Sequence, residues 1–422
     1  MLALLPTHAM QMTDPETRTA RAAGSSDATR WERVVLRRPS LVLPRLQALM
    51  RRRGDPVRAR AALLGAFFIL ERWGRGAELQ DELQLALTQL RSKKGGAAAG
   101  EASEFCEALG RMHYQRGDYV EACNAWSQAL DLADDDSRSA CLARIGLAHL
   151  CFALGDWARG GRVLDQAELH YGPCLADDPY MRAKIALNRA ASLRATTGPQ
   201  AALSTLQVAV AAAVEAGHKD YQAEAIWQQA RCARDSGGTA QAMLLAQQAL
   251  DLAQRSGYRW LQAQAALLLS ELTRDDVALG WAGQTLTLAE AIQSRALQAA
   301  AHGRLADLMQ AHGELGPSWH HQQQRKRLES TLGQSRLPAQ LEALARFDTH
   351  AGPEPVAVEV DASPAPGPDL GAATQGLRTL ADAGRQMAEL LNREHIRRDE
   401  LLALATQITA EAERLGQSLV QP

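Results

Sequence analysis

Residues 109–130, LGRMHYQRGDYVEACNAWSQAL, decide the fold. Leu109, Gly110 and His113 are one and four residues apart, so on a helix they share one face. Gly110 is small where a second helix must cross closely. Gly117 stands where a helix C-terminus takes a positive φ, and Asp118 can cap the helix that follows. In that helix Ala122, Trp126 and Ala129 are spaced 4 and 3, giving a stripe of small and large side chains that meshes with the first helix.

The unit recurs. Residues 147–167, LAHLCFALGDWARGGRVLDQA, repeat the glycine-aspartate-aromatic turn, with Gly155, Asp156 and Trp157 in the places of Gly117, Asp118 and Tyr119. Turn glycines stand at Gly74, Gly117, Gly155, Gly198, Gly237 and Gly313, at spacings of 43, 38, 43, 39 and 76. The last is twice 38, which places one glycine-less copy between Gly237 and Gly313. Ala242, Ala246 and Ala249 repeat the stripe after Gly237, and Leu79, Leu83 and Ala86 repeat it after Gly74. A fixed period in this range marks a stacked-helix array.

The pattern resembles the tetratricopeptide repeat (TPR) family. The resemblance is strongest at 103–136, clear at 141–174, 223–256 and 299–331, and degenerate at 60–93, 184–215 and 260–290. Its period exceeds the family's usual ~34 residues, which implies longer loops between repeats. The resemblance implies an all-α, right-handed superhelical solenoid of about seven TPR-like helix pairs, with a helical, coiled-coil-like tail.

Composition agrees with an array. A chain of 422 residues exceeds one compact core, but a solenoid grows by adding layers. Apolar residues make up 46% and aromatics only 5%, so alanine carries much of the apolar content, as close helix stacking requires. A net charge of −2 argues against a chain-wide nucleic-acid surface. The longest apolar run, 61–70, is about half of a bilayer span. The amino terminus lacks the basic and apolar segments of a secretory signal, and Met12 reads as an alternative start. Six cysteines without a CxxC pair fit free thiols in a reducing cytoplasm.

Five segments follow. Residues 1–29 are polar and read as disordered. Residues 30–55 form a basic helical cap interrupted by Pro39 and Pro44, with ten arginines between 30 and 60. Residues 56–347 carry the repeats, with Gly95–Gly100 as a flexible insertion and a last helix at Leu337–Phe347. Residues 348–370 are a Pro-rich acidic linker. Residues 371–422 are a helical tail offering a surface for self-association. Within it, 376–404 (GLRTLADAGRQMAELLNREHIRRDELLAL) resembles the helix leading into GAF sensory domains of bacterial signalling proteins. That resemblance implies a regulator, or a sensory fragment of a diguanylate cyclase or histidine kinase.

No phosphate-binding loop, nucleophile elbow, HExxH or zinc-finger spacing occurs, so neither enzyme chemistry, a cofactor nor a metal is expected. His149 with Cys151, and His320 with His321, read as packing and solvated positions. In stacked helix pairs the first helices line the concave side. Residues there that do not mesh with the second helix are Arg111, Tyr114, His149, Asn188, Arg189, Ser192, Trp227, Arg231 and Arg234. This basic, amide-bearing strip suits a protein or peptide partner. TPR proteins that clamp a terminal carboxylate use lysine, asparagine and arginine on this face. Asn188 and Arg189 are similar in type, but no Lys-Asn pair matches in the preceding repeat.

Overall fold

A computed structural model describes residues 35, 38–52, 54–92 and 96–334. The chain divides into two compact units, 1–350 and 351–422. The whole second unit lies outside the described residues, as do 1–29 and, in the first unit, the helix expected at Leu337–Phe347; the linker and the tail fall there too.

Among the described residues there are fifteen α-helices and no strand. They run α1 (Pro39–Met50), α2 (Pro56–Arg72), α3 (Gln80–Arg91), α4 (Gly96–Arg116), α5 (Tyr119–Leu132), α6 (Arg138–Ala153), α7 (Trp157–Leu175), α8 (Pro179–Thr196), α9 (Pro199–Ala216), α10 (Lys219–Asp235), α11 (Thr239–Ser256), α12 (Arg259–Leu272), α13 (Asp275–Ala291), α14 (Arg295–Ala311) and α15 (Leu315–Gln334). A short 3-10 turn, Gly76–Leu79, joins α2 to α3. From α4 onward each even-numbered helix packs most heavily on the odd-numbered one after it, and the even-numbered helices from α2 to α14 also touch in succession. The result is a row of TPR-like hairpins with the first helices stacked along one side.

Local chemistry accounts for the hairpins. Gly117 has φ +85°, its N–H donates to the Tyr114 carbonyl, and the Asp118 N–H reaches back to the His113 carbonyl. Two orphan carbonyls at the end of α4 are satisfied in this way, and the chain reverses. Gly155 and Asp156 repeat the arrangement. The glycine-less copy is explained by Asp275, which stands 38 residues after Gly237 and itself has φ +51°, a conformation aspartate tolerates. The helix-meshing stripes are buried as expected: Ala122, Trp126, Ala129, Ala242, Ala246 and Ala249 are all 1% exposed or less.

Three expectations need correction. Asp118 makes no side-chain cap; its carboxylate instead pairs with Arg295 at 2.8 Å. Asp156, in the equivalent place, does cap, accepting from the Arg159 N–H. The Gly95–Gly100 stretch is helical from Gly96, forming the first turns of α4, because alanine-rich sequence favours helix despite flanking glycines. Neither proline interrupts α1: Pro39 opens it, consistent with proline's preference for the first helical turn, and Pro44 lies within the continuous helix.

The array also makes contacts its period does not forecast. Phe68 of α2 packs against Tyr180 and His218, and Arg72 forms an ion pair with Asp220, 148 residues away. Gly74 lies against Ile292, and Gly117 against Leu332. The first two repeats therefore touch the later ones directly.

Candidate functional site

The even-numbered helices surround a recess of about 280 Å³. Of the nine candidate residues, Arg111, Tyr114, His149, Asn188, Trp227 and Arg231 line it. The other three point elsewhere. Arg189 reaches back to α7, pairing with Asp165 and Glu168 at 2.8 and 2.7 Å. Ser192 is buried and donates to the Trp157 carbonyl. Arg234 pairs with Glu271 and with Asp235.

Most charge inside the recess is compensated. Arg111 pairs with Glu71 and lies 3.8 Å from the Glu107 carboxylate. Arg72 donates to Asp220 and, at 2.6 Å, to Nε2 of His218, whose ring stacks on Tyr221 with centroids 3.9 Å apart. Burial works against the Arg72 charge, but Asp220 with its neighbours more than offsets it and holds the guanidinium protonated. The His218 imidazole is kept neutral by burial and by Arg72, so it can accept from that guanidinium. His149 is similarly pushed down to about 4, by burial and then by Lys184, while it hydrogen-bonds Asn188.

Two features were not legible as binding residues. Lys184 is 9% exposed, lines the recess and makes no ion pair among the described residues. Glu224, also lining it, is pushed up to about 7 by burial, against the opposing pull of Lys184 and Arg72. Both fall on α8 and α10 at positions the TPR resemblance does not mark, and only the repeat register would have placed them on the inner face. Aromatic rings supply much of the remaining wall. Trp227 meets Trp260 edge-on with centroids 5.7 Å apart, and the Arg231 guanidinium lies 4.7 Å over the Trp227 ring. Burial, with Arg194 and Arg234 nearby, brings Arg231 down to about 10.

The described residues contain no group of three or more His, Cys, Asp or Glu side chains that could hold a metal ion. Cys151 is buried in its helix, and His321 hydrogen-bonds His302 at 2.8 Å beside exposed His320. No helix among the described residues is long and apolar enough to cross a membrane.

No protein-family model matches the chain. No curated protein matches it either. Among solved structures, the crystal structure of the apo form of RapI is similar, with a TM-score of 0.44 and 11% sequence identity over 70% of this chain and 98% of RapI. At that identity and overlap the similarity bears on neither ligand nor partner.

Proposed function

We propose that this protein is a non-enzymatic repeat scaffold that binds a protein or peptide partner along its inner helical face, in the cytoplasmic signalling of a bacterium. The observation carrying this reading is the recess, where tyrosine, tryptophan and arginine side chains meet on stacked first helices. These residue types dominate binding energy at interfaces, because they combine large contact area with directed polar groups. Stacked repeats offer an extended concave surface for the purpose. A second reading is the sensory region of a diguanylate cyclase or histidine kinase. It is favoured by the likeness of 376–404 to helices that lead into GAF domains.

Affinity capture from native lysate with the tagged full chain tests the first reading. A macromolecule retained by the parent and lost from a Trp227→Leu/Arg231→Ala variant supports it. Equal retention by both removes the inner face from consideration. Reading the gene's downstream frame tests the second, which requires an in-frame output domain.

A further inference from the structure

Beside one end of the recess stand three arginines and two carboxylates, and two of the arginines take both carboxylates. Arg194 pairs with Asp235, and Arg234 pairs with both Asp235 and Glu271. Arg231, lying between these neighbours in charge, makes no ion pair among the described residues and is the one of the three that lines the recess. It rests on the face of Trp227, with Trp260 beside that ring. Other recess cations are served differently: Arg72 has Asp220, Arg111 has Glu71 and Glu107, and Lys184 has Glu224 as an electrostatic neighbour. The charge account at the Arg231 end is therefore short by one negative charge, next to two indole rings.

We propose that the recess binds a small organic anion with a planar apolar body, its acid group held by Arg231 and its body laid against Trp227 and Trp260. A half-buried guanidinium without a carboxylate is a strong donor awaiting an acceptor, since charge-assisted bonds are about twice as strong as neutral ones. Its fork matches a carboxylate or sulfonate, and it keeps its charge at neutral pH. Half-buried Trp260 and the part of the buried Trp227 ring that Arg231 leaves uncovered supply apolar area to the rest of the molecule. The volume, about 280 Å³, lies just below the ~300–1,000 Å³ usual for small-molecule sites, which selects a single compact ligand. This deepens the partner-binding reading and rests on its claim that the inner face is a binding surface, adding the chemical class of one occupant.

The test uses two fluorescent probes with the same aromatic body, a naphthalene ring carrying an anilino group. 8-Anilinonaphthalene-1-sulfonate carries a negative charge, and N-phenyl-1-naphthylamine carries none. With the full chain, the sulfonate is expected to bind at one site and at least tenfold more tightly than the amine, with affinity falling as salt rises. Arg231→Gln should cost the sulfonate tenfold or more and leave the amine within twofold, whereas Arg231→Lys should stay within about threefold of the parent. Equal affinity of the two probes for the parent overturns the proposal without recourse to any variant. So does an Arg231→Gln protein that melts like the parent and still prefers the sulfonate. Macromolecular capture is read separately. Capture with no preference between probes sinks the anion site alone, and probe preference without capture sinks the partner and leaves the anion site standing.

Discussion

The Trp126 indole occupies the space a Cβ on Gly146 would need: that atom would lie 2.2 Å from the ring's Cε2. Gly110, on the other first helix, is filled by the same ring, its hypothetical Cβ lying 2.5 Å from Nε1. One tryptophan from α5 thus sets the spacing of two successive first helices. Trp126→Ala should cost about 3–5 kcal/mol by leaving a cavity. Gly146→Ala should cost about 1–3 kcal/mol by overpacking. Urea unfolding of both proteins checks this, and combining Gly146→Ala with Trp126→Phe should recover part of the loss, because the two sites share one volume.

Partner affinity should depend on Arg231 and not on Arg234. The guanidinium of Arg234 is committed to Glu271 and Asp235 outside the recess, whereas Arg231 faces inward. Arg231→Ala is expected to weaken the captured partner about tenfold, in line with ~1.5 kcal/mol or more for a hydrogen bond to a charged group. Arg234→Ala should change affinity less than threefold by the same scale. Calorimetry at two ionic strengths reads both.

Stability should carry two opposed pH slopes. Glu224 is raised from 4.5 to about 7, so on alkalinisation the unfolded chain releases this proton first. Its contribution is full below about pH 4.5 and is lost as the pH rises through about 7. His149 is lowered from 6.5 to about 4, so its contribution is present above about pH 6.5 and is lost as the pH falls through about 4. Glu224→Gln should therefore be at least about 1 kcal/mol more stable relative to the parent at pH ~8 than at pH ~4. His149→Gln should flatten the acid side of the profile. Denaturant midpoints across that range measure both.

Asp220→Asn should strongly destabilise the chain, by about 3 kcal/mol, because it strands the buried Arg72 charge. Replacing both residues with leucine should cost less than the single change, since no charge is then left unpaired. A thermal-melt double-mutant cycle decides this. Two additive losses would show that the pair is not coupled.

Much of this architecture was legible because backbone chemistry writes itself into local sequence. The glycines at 117 and 155 have a positive φ, and the alanines of the stripes are buried at close helix crossings, where small side chains are needed. A second series of reversals, at Gly217, Gly257 and Gln293, joins one hairpin to the next with positive φ; its mark in the sequence is a glutamine five residues on, Gln222, Gln262 and Gln298, whose amides donate to the Ala213, Ala253 and Ala289 carbonyls of the helix before. The inner face was read in part. Six of nine residues converge, while Arg189 and Arg234 turn aside because carboxylates on adjacent helices reach them first. Lys184 and Glu224, one repeat apart, were missed because the residue types that mark the repeat do not fall on them and only the register places them on the inner face.

The ion pair of Arg72 with Asp220 has a consequence for how such a chain can change its length. In an open solenoid each repeat meets only its neighbours, so copies can be gained or lost with little disturbance elsewhere. Here α2 meets α10, and Gly74 meets Ile292, across a set number of intervening hairpins. Duplicating or deleting a hairpin between them would carry Asp220 away from Arg72 and leave a buried guanidinium facing the wrong helix. The contact acts as a tally, fixing the number of hairpins between α2 and α10, and evolution can edit the loops between them more freely than it can edit the count.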